Sequence, residues 1–259
     1  MKLISWNVAG RTALLDEQVA AVGRQEPDVV CLQEVRPSTA PRWAAGLADA
    51  GLPHALDSAQ FRNERRLFNL TASRWELIEL PAVPAPFPER VLSSVVEAPF
   101  GLLDLHNAHV PPAQSRGFVK VETCEAIHDR LARPSERARI LCGDLNTPQR
   151  ETQEGEVITF AENHPQWLER WDAAERSVVE GLAEWGMVDV FRLLHGYERQ
   201  DVSWVFHTRA ARRAGFRLDH VIASPELNPV WCDYQHGWRE GGLSDHSAIE
   251  AIFEPGGAG

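Results

Sequence analysis

Polar side chains stand at or beside the ends of several apolar segments of the chain. They close the segments LISWNVAG, VVCLQEV, LHNAHVPP and LCGDLN, and they lie near the start of RLDHVIAS and SDHSAIE. The residues concerned are Asn7, Glu34, His109, Asp144, Asn146, Asp219, Asp245 and His246. A single one of these is usually a turn former or a surface residue. Several together predict a ligand site, because open α/β sheets bind ligands at the carboxyl ends of their strands.

The residue types suit a metal-assisted attack on phosphorus. Glu34 and Asp245 offer the hard oxygen ligands that Mg²⁺ and Mn²⁺ prefer. Asn7 and Asn146 can donate a hydrogen bond to a phosphate oxygen or orient a ligand. The sequence therefore predicts a Mg²⁺ or Mn²⁺ cofactor.

A histidine and a carboxylate complete this chemistry. His246 can act as a base or as a cationic contact to a phosphate. Asp219 can hold the second ring nitrogen and fix the tautomer, as orienting carboxylates do at other histidine sites.

The apolar pattern that must position these residues predicts an α/β fold of alternating strands and helices. Strands are predicted over residues 3–8, 28–35, 69–73, 90–98, 101–110, 139–143, 203–208, 217–224 and 247–253. Helices are predicted from the apolar spacing that begins at Leu15 and at Val121, and over residues 166–186. The tryptophans of that last helix are expected to pack in the core. The proline-rich segment 81–89 is expected to be a rigid loop.

Length and composition are those of a globular protein with one large domain. We expect a single domain over residues 1–254 and a short flexible tail over residues 255–259, within a chain of 259 residues. No apolar run reaches the roughly 20 residues of a membrane helix. We find no signal-peptide pattern at the N-terminus. The four cysteines are widely spaced, without a zinc pattern, and suit a reduced cytoplasmic protein.

The formal net charge of −11 argues against a protein that coats nucleic acid non-specifically. An enzyme with a local basic rim remains compatible with it. The segment HTRAARRAGFR, residues 207–217, contains four arginines that include Arg213 and Arg217. Two interpretations stay equally open: a solvated loop, or a rim on which Arg213 contacts a phosphate backbone.

Six motifs resemble the endonuclease/exonuclease/phosphatase superfamily, and they occur in its order. They are SWNVAGR, CLQEV, HVPP, GDLN, RLDHVIAS and SDHSAI, which extend from residue 5 to residue 249. The segments GMVDVFRLLHG and DVSWVF resemble the exonuclease III or AP endonuclease branch. The resemblance implies a DNase I-like fold, a four-layer α/β sandwich of two packed mixed β-sheets flanked by helices.

The resemblance also implies roles for the polar residues. Glu34 would be the main metal ligand, with Asn7 and Asp245 nearby. Asp144 would position or activate the attacking water, and Asn146 would contact the scissile phosphate. The pair of His246 and Asp219 would be the other catalytic group; whether Asp144 or His246 takes the proton stays open.

His109 departs from the exonuclease III pattern, which usually has tyrosine at that place. The residue is expected to contact phosphate or to act in catalysis, and as a cation it would stabilise developing negative charge. NERRLF faintly resembles a DNase I segment and offers Glu64 as its partner. Ala9 is a second departure, since an acid is common there.

Three functions follow from these residues. The first is a metal-dependent phosphodiester hydrolase, a nuclease acting on DNA, with no membrane and no protein partner implied. The second is a phosphatase or phosphodiesterase for a small or lipid-derived phosphate, which the net charge and His109 favour. The third, a binding protein with an inactive site, ranks last because every expected site residue is present.

Overall fold

Two six-stranded sheets form the centre of the protein, whose computed structural model describes residues 1–61, 67–207 and 213–254. The strands are β1 Lys2–Asn7, β2 Val29–Val35, β3 His54–Asp57, β4 Phe68–Ser73, β5 Leu77–Glu79, β6 Val91–Ala98, β7 Gly101–His109, β8 Ala138–Asp144, β9 Arg150–Glu151, β10 Val157–Ile158, β11 Val188–Asp189, β12 Trp204–His207, β13 Arg213–Phe216, β14 Asp219–Ala223, β15 Pro229–Gln235 and β16 Ala248–Phe253. The helices are α1 Leu15–Gly23, α2 Ala40–Asp49, α3 Val119–Leu131, α4 Leu168–Val179, α5 Val190–His195 and α6 His236–Glu240.

The two sheets have matching topologies. The first has the order β15-β16-β1-β2-β4-β3 and the second the order β11-β14-β8-β7-β6-β5. Each contains one parallel pair, β1 with β2 and β7 with β8, and the other pairs are antiparallel. Parallel neighbours need a long crossover, which α1 supplies in the first sheet and α3 in the second. Two short ribbons, β9 with β10 and β12 with β13, complete the pairing.

Alternating apolar residues build four layers. Leu3, Val29 and Cys31 of the first sheet pack against Leu105 and Ile140 of the second. The residues of opposite parity along the same strands, among them Ile4 and Val30, pack under α1 and α2. The outer face of the second sheet packs in the same way under α3 and α4. The four-layer α/β sandwich expected from the sequence is confirmed.

The predicted strands are all present within one or two residues of their expected bounds. The sequence analysis did not predict the helices α2, α5 and α6 or the strands β3, β5, β9, β10, β11, β13 and β15. The helix predicted over residues 166–186 is broken: only α4 is α-helical, and the 3₁₀ turns Pro165–Trp167 and Gly181–Trp185 flank it. No helix in the described parts of the chain is long and apolar enough to cross a membrane.

The expected core role of the tryptophans in this segment is correct for one of them and wrong for another. Trp171 is fully buried on α4. Trp167 is 41% exposed, because it precedes the helix and lies at the surface against Phe118. Trp185 is half-buried.

Candidate active site

The carboxyl ends of β1 and β2 bring Asn7 and Glu34 together. Glu34 has a φ of 58° and lies at an irregularity in the β2–β4 pairing between Leu32 and Val35. A bulge with a left-handed residue turns a side chain away from the regular alternation. The amide nitrogen Nδ2 of Asn7 lies 3.4 Å from Oε1 of Glu34 and 3.0 Å from Oδ2 of Asp144. Asn7 thus connects the first sheet to the second.

Buried amides between the sheets hold these strand ends in register. Nε2 of Gln33 donates to Oδ1 of Asn107 over 2.8 Å and to Oγ of Ser5 over 3.1 Å. Nδ2 of Asn107 donates to the carbonyl oxygen of Leu70 over 3.0 Å. The sequence analysis missed this network. Its signal was an amide inside each of two apolar strands, where an unpaired polar group would be costly.

Asp144 ends β8 at the centre of the site. It is paired in register with His109 of β7 and with Asp219 of β14, and it is 1% exposed. Gly143, with a φ of 137°, permits this close pairing, since a Cβ atom there would lie 1.9 Å from the carbonyl oxygen of Ala108. Oδ1 of Asp144 accepts the backbone N–H of Asn146 over 3.0 Å.

His246 and Asp219 form the expected pair. Nδ1 of His246 lies 2.8 Å from Oδ2 of Asp219, and Nε2 lies 3.7 Å from Oδ2 of Asp144. The backbone of Asp219 is held in turn by Oγ of Ser203, which accepts its N–H, and by the hydroxyl of Tyr234, which donates to its carbonyl oxygen. The imidazole is therefore oriented between two carboxylates.

The charges of this pair are set by its surroundings. Burial disfavours the charged ring of His246, but the carboxylates of Asp219 and Asp144 outweigh it and raise the pKa of His246 to about 10. Burial raises the pKa of Asp144 to about 7, against the effect of the His246 cation. Near neutral pH the ring is a cation, and Asp144 is the group that gains or loses a proton.

His109 lies in the site, and its surroundings disfavour the cationic role expected of it. Its Nε2 atom is 3.6 Å from Oε1 of Glu34 and 3.8 Å from Oδ2 of Asp144. Burial, with Arg90 and His246 nearby, holds the pKa of His109 well below its ordinary value. A neutral imidazole can donate or accept one hydrogen bond there but supplies no charge. Glu64, its expected partner, lies outside the described residues.

Asn146 follows Asp144 in a turn with a left-handed conformation, at a φ of 51°. Its Nδ2 atom donates to the carbonyl oxygen of Val110 over 2.8 Å, and its own carbonyl oxygen accepts from Nζ of Lys120 over 2.9 Å. Since an amide nitrogen carries two hydrogens, the bond to Val110 leaves one for another acceptor.

Asp245 is the third residue expected to bind metal, beside Asn7 and Glu34. It is exposed, and its Oδ2 atom lies 3.4 Å from Nε1 of Trp204. A different set has ligand atoms within 4.8 Å of one another: Asp144, Asp219 and His246. Within that set Asp219 and His246 already bond to each other, whereas Glu34 lies outside it and has a side chain that is 27% exposed.

A cleft of about 280 Å³ opens over these residues. Its apolar wall consists of Phe160, Trp204, Phe216 and Leu218, and Glu34, Asp144, Asn146, His109 and His246 line its polar side. Arg90 also lines it, with Nη1 3.3 Å from Nε2 of His109. The sequence analysis missed Arg90 and Phe160. Arg90 follows the proline-rich loop and directly precedes β6, and that position was its only signal.

At Arg217 the arginine-rich segment forms neither a solvated loop nor a basic rim. This residue is 6% exposed, and its guanidinium bonds to both oxygens of Glu151 and to Oδ2 of Asp189. Burial of an arginine is tolerated when carboxylates pair with it, and here two do. Arg209 and Arg212 lie outside the described residues. Arg213 begins β13, and its side chain also lies outside them, so the phosphate contact expected of it stays a prediction.

The two mixed sheets, with carboxylates, amides and histidines gathered at one edge, define a hydrolase of phosphoric esters. Residues 4–246 match the sequence profile of the Endonuclease/Exonuclease/phosphatase family, and the chain belongs to that family. Exodeoxyribonuclease III of Haemophilus influenzae is 25% identical over 98% of this chain and 100% of its own length. DNA repair nuclease APEX1 of Danio rerio is 27% identical over 90% of this chain and 76% of its own.

Solved structures agree on the fold. An AP endonuclease from Archaeoglobus fulgidus superimposes with a TM-score of 0.76, with 98% of this chain and 99% of that chain covered. The sequence identity of that pair is 20%. The likeness therefore concerns the arrangement of sheets and helices.

Proposed function

We propose that this protein is a divalent-metal-dependent nuclease that hydrolyses phosphodiester bonds of DNA. The observation that carries the proposal is the convergence on Asp144: its Oδ2 atom lies within 3.8 Å of Asn7, His109 and His246 at the base of an open cleft. Relatives named as an exodeoxyribonuclease and a DNA repair nuclease support DNA as the substrate.

The residues of the cleft fit a divalent cation. The cleft offers carboxylate and amide oxygens as metal ligands, and Mg²⁺ and Mn²⁺ prefer oxygen ligands. No described cysteine lines the cleft. Glu34 would hold the ion, with Asn7, whose Nδ2 atom lies 3.4 Å from Oε1 of Glu34, and Asp245 as the further residues expected to bind it. The bound cation would supply Lewis-acid polarisation of the phosphate.

The protein side chains have distinct tasks in this proposal. Asp144, buried and close to its titration point, accepts a proton from the attacking water. His246, held at Nδ1 by Asp219, presents a cationic N–H from Nε2 to a phosphate oxygen. Asn146 donates its second amide hydrogen to the same phosphate, and neutral His109 adds one hydrogen bond. The water oxygen bonds to phosphorus as the P–O bond to the departing sugar oxygen breaks, and that oxygen takes up a proton from solvent. The N–H donors of His246, Asn146 and His109 stabilise the negative charge that grows on the phosphate in the transition state.

The apolar wall of the cleft indicates which kind of site in DNA the protein would cut. Phe160 contacts Phe216 edge-on with ring centroids 5.2 Å apart, and Trp204 stacks on Phe216 at 6.0 Å. An apolar wall beside the phosphate groups suits a sugar turned out of the helix, and an abasic sugar costs least to turn out. We therefore propose abasic DNA as the preferred substrate.

A panel of substrates tests the proposal. Abasic duplex, intact duplex with a recessed 3′ end, single-stranded DNA, RNA and bis-p-nitrophenyl phosphate are each incubated with Mg²⁺, with Mn²⁺ and with EDTA. We expect cleavage of DNA that EDTA abolishes, with the abasic duplex cut fastest. Hydrolysis of the small ester alone would instead indicate the phosphatase or small-phosphodiester function.

Replacement of Glu34 tests the metal assignment. We expect Glu34→Ala to need at least about 10-fold more Mg²⁺ for half-maximal activity, since even residues that only support metal ligands change affinity by that factor. The measurement is the initial rate against Mg²⁺ concentration. Asp16→Ala, which removes an exposed carboxylate on α1, is the matched control and should leave the curve unchanged. An unchanged curve for Glu34→Ala would exclude Glu34 as the main ligand.

The pH dependence tests the roles of Asp144 and His246. Since a proton acceptor must be ionised, kcat should rise with pH through an apparent pKa at or below about 7. A bound cation nearby favours the carboxylate and moves the limb downward. The rate should then stay level to pH 9, because the pKa of His246 is about 10. A fall centred below pH 8 would contradict the cationic role of His246.

We also propose a cytoplasmic location. All four cysteines are buried and free, which suits a reducing compartment. Fractionation of cells that express a tagged protein checks this.

A further inference from the structure

A buried ion pair lies behind the turn that carries Asn146. Nζ of Lys120 on α3 is 2.6 Å from Oε1 of Glu175 on α4, and neither side chain is exposed. Moving two charges out of water is costly, and such a pair persists only when further hydrogen bonds satisfy both groups. The partners of this pair therefore indicate what it does.

Glu175 is fully satisfied by donors from the surroundings of the cleft. Its Oε1 atom also accepts from Nε1 of Trp171 over 2.7 Å. Its Oε2 atom accepts from Oγ1 of Thr147 over 2.6 Å and from the backbone N–H of Phe160 over 3.0 Å. One carboxylate thus holds the residue after Asn146 and the apolar wall at Phe160.

Lys120 reaches the same two places. Its ammonium donates to the carbonyl oxygen of Asn146 over 2.9 Å, and it lies 4.7 Å from the ring centroid of Phe160. The backbone of Asn146 is left-handed, a conformation that costs free energy for a residue other than glycine and persists when its surroundings hold it. Asp144 and Val110 hold its two nitrogen atoms, and Lys120 holds its carbonyl oxygen.

We propose that Lys120, held by Glu175, is a positioning residue that aims the amide of Asn146 at the scissile phosphate. The inference rests on the nuclease function proposed above. It differs from a role in helix packing, because a packing role would lower stability without acting through Asn146.

A double-mutant cycle in the full chain separates these roles. We compare Lys120→Met, Asn146→Ala and the double variant for kcat and KM on abasic duplex, at a temperature where each is folded. Lys120→Met should lose about 10- to 100-fold in kcat, the effect of a contact misplaced by about 1 Å. The double variant should be no slower than Asn146→Ala alone, because one residue acts through the other. The Mg²⁺ concentration for half-maximal activity should stay at the parental value.

Two further variants test whether a loss of kcat could come from lower stability alone. The double variant Lys120→Met/Glu175→Gln contains no unpaired buried charge. The amide oxygen of the new glutamine can still accept hydrogen bonds from Thr147 and Phe160. We therefore expect this variant to lose as much kcat as Lys120→Met alone. Arg139→Met is the matched control: this arginine is 6% exposed and bonds to the carbonyl oxygens of Leu131 and Arg133 at the opposite end of β8. It should lower Tm and keep kcat.

The outcomes are distinguishable. Parental kcat in Lys120→Met, or a double variant whose loss is the product of the two single losses, would overturn the positioning role alone. A parent protein that cleaves none of the DNA substrates in the panel would overturn the nuclease function and this inference with it.

Discussion

Asp144→Asn is expected to lower kcat by about 10³-fold or more while KM changes little. General acid–base groups alone contribute about 10²–10⁴-fold. Asn keeps the shape and can still accept the N–H of Asn146, but it cannot take a proton from water. The amide of Asn7, 3.0 Å from Oδ2, would face an amide instead of a carboxylate. A 10³-fold loss corresponds to about 4 kcal/mol of transition-state stabilisation.

The thermal stability of Asp144→Asn, measured as its Tm, is the control for this prediction. Because burial raises the pKa of Asp144 to about 7, the folded parent carries a costly buried carboxylate at pH 8. In the unfolded chain the Asp144 carboxyl ionises near its ordinary pKa, whereas in the folded protein it ionises only near pH 7. The free energy of unfolding therefore falls as the pH rises between these two values, and at pH 8 that fall is essentially complete. Asp144→Asn should therefore melt at the parental Tm or above it. Near-parental turnover in a protein that melts normally would exclude Asp144 as the proton acceptor.

Much of the site could be predicted because it consists of polar residues inside an apolar pattern. Glu34, Asp144 and Asp219 stand out against the strands that they end or begin, and strand ends are where a layered sheet brings distant residues together. The parallel pairs β1–β2 and β7–β8 then put the ends of four strands at one edge. The fold followed from the same strands and from the resemblance of six motifs.

Residues whose charge looks solvated in a sequence could not be predicted. Lys120 and Glu175 lie on helices α3 and α4, where a charged residue normally faces water. Their burial depends on how two helices distant in the sequence pack on the second sheet. Arg217 was misjudged for the same reason, since Glu151 and Asp189 reach it only in the folded chain.

The charge of His109 also depends on the folded chain. An isolated histidine titrates near neutral pH. In the site the ring is 4% exposed and has Arg90 beside it, so the cation is disfavoured. Neither burial nor a neighbour 19 residues away is visible from the motif HVPP.

His246→Ala is expected to lower kcat by about 10³-fold with the fold intact. The loss has two physical parts: the cationic N–H that meets the phosphate, and the positive charge that stabilises the ionised form of Asp144. Without that charge the pKa of Asp144 should rise, so the acidic limb of the pH–rate profile should move to higher pH. The measurement is kcat from pH 5 to pH 9 for the variant and the parent.

Asp219→Asn tests whether the histidine acts as half of a pair. Asn can still accept the Nδ1 hydrogen but no longer supplies the charge that favours the imidazolium, so we expect a milder loss of about 10- to 100-fold. Its rate should also fall at alkaline pH, because the lowered pKa of His246 brings loss of the cation into the measured range. The double variant Asp219→Asn/His246→Ala should be no slower than His246→Ala, since Asp219 works through the ring that is missing. A double variant slower by the full Asp219→Asn factor would mean that Asp219 acts on the substrate or the metal directly, and the pairing would be wrong.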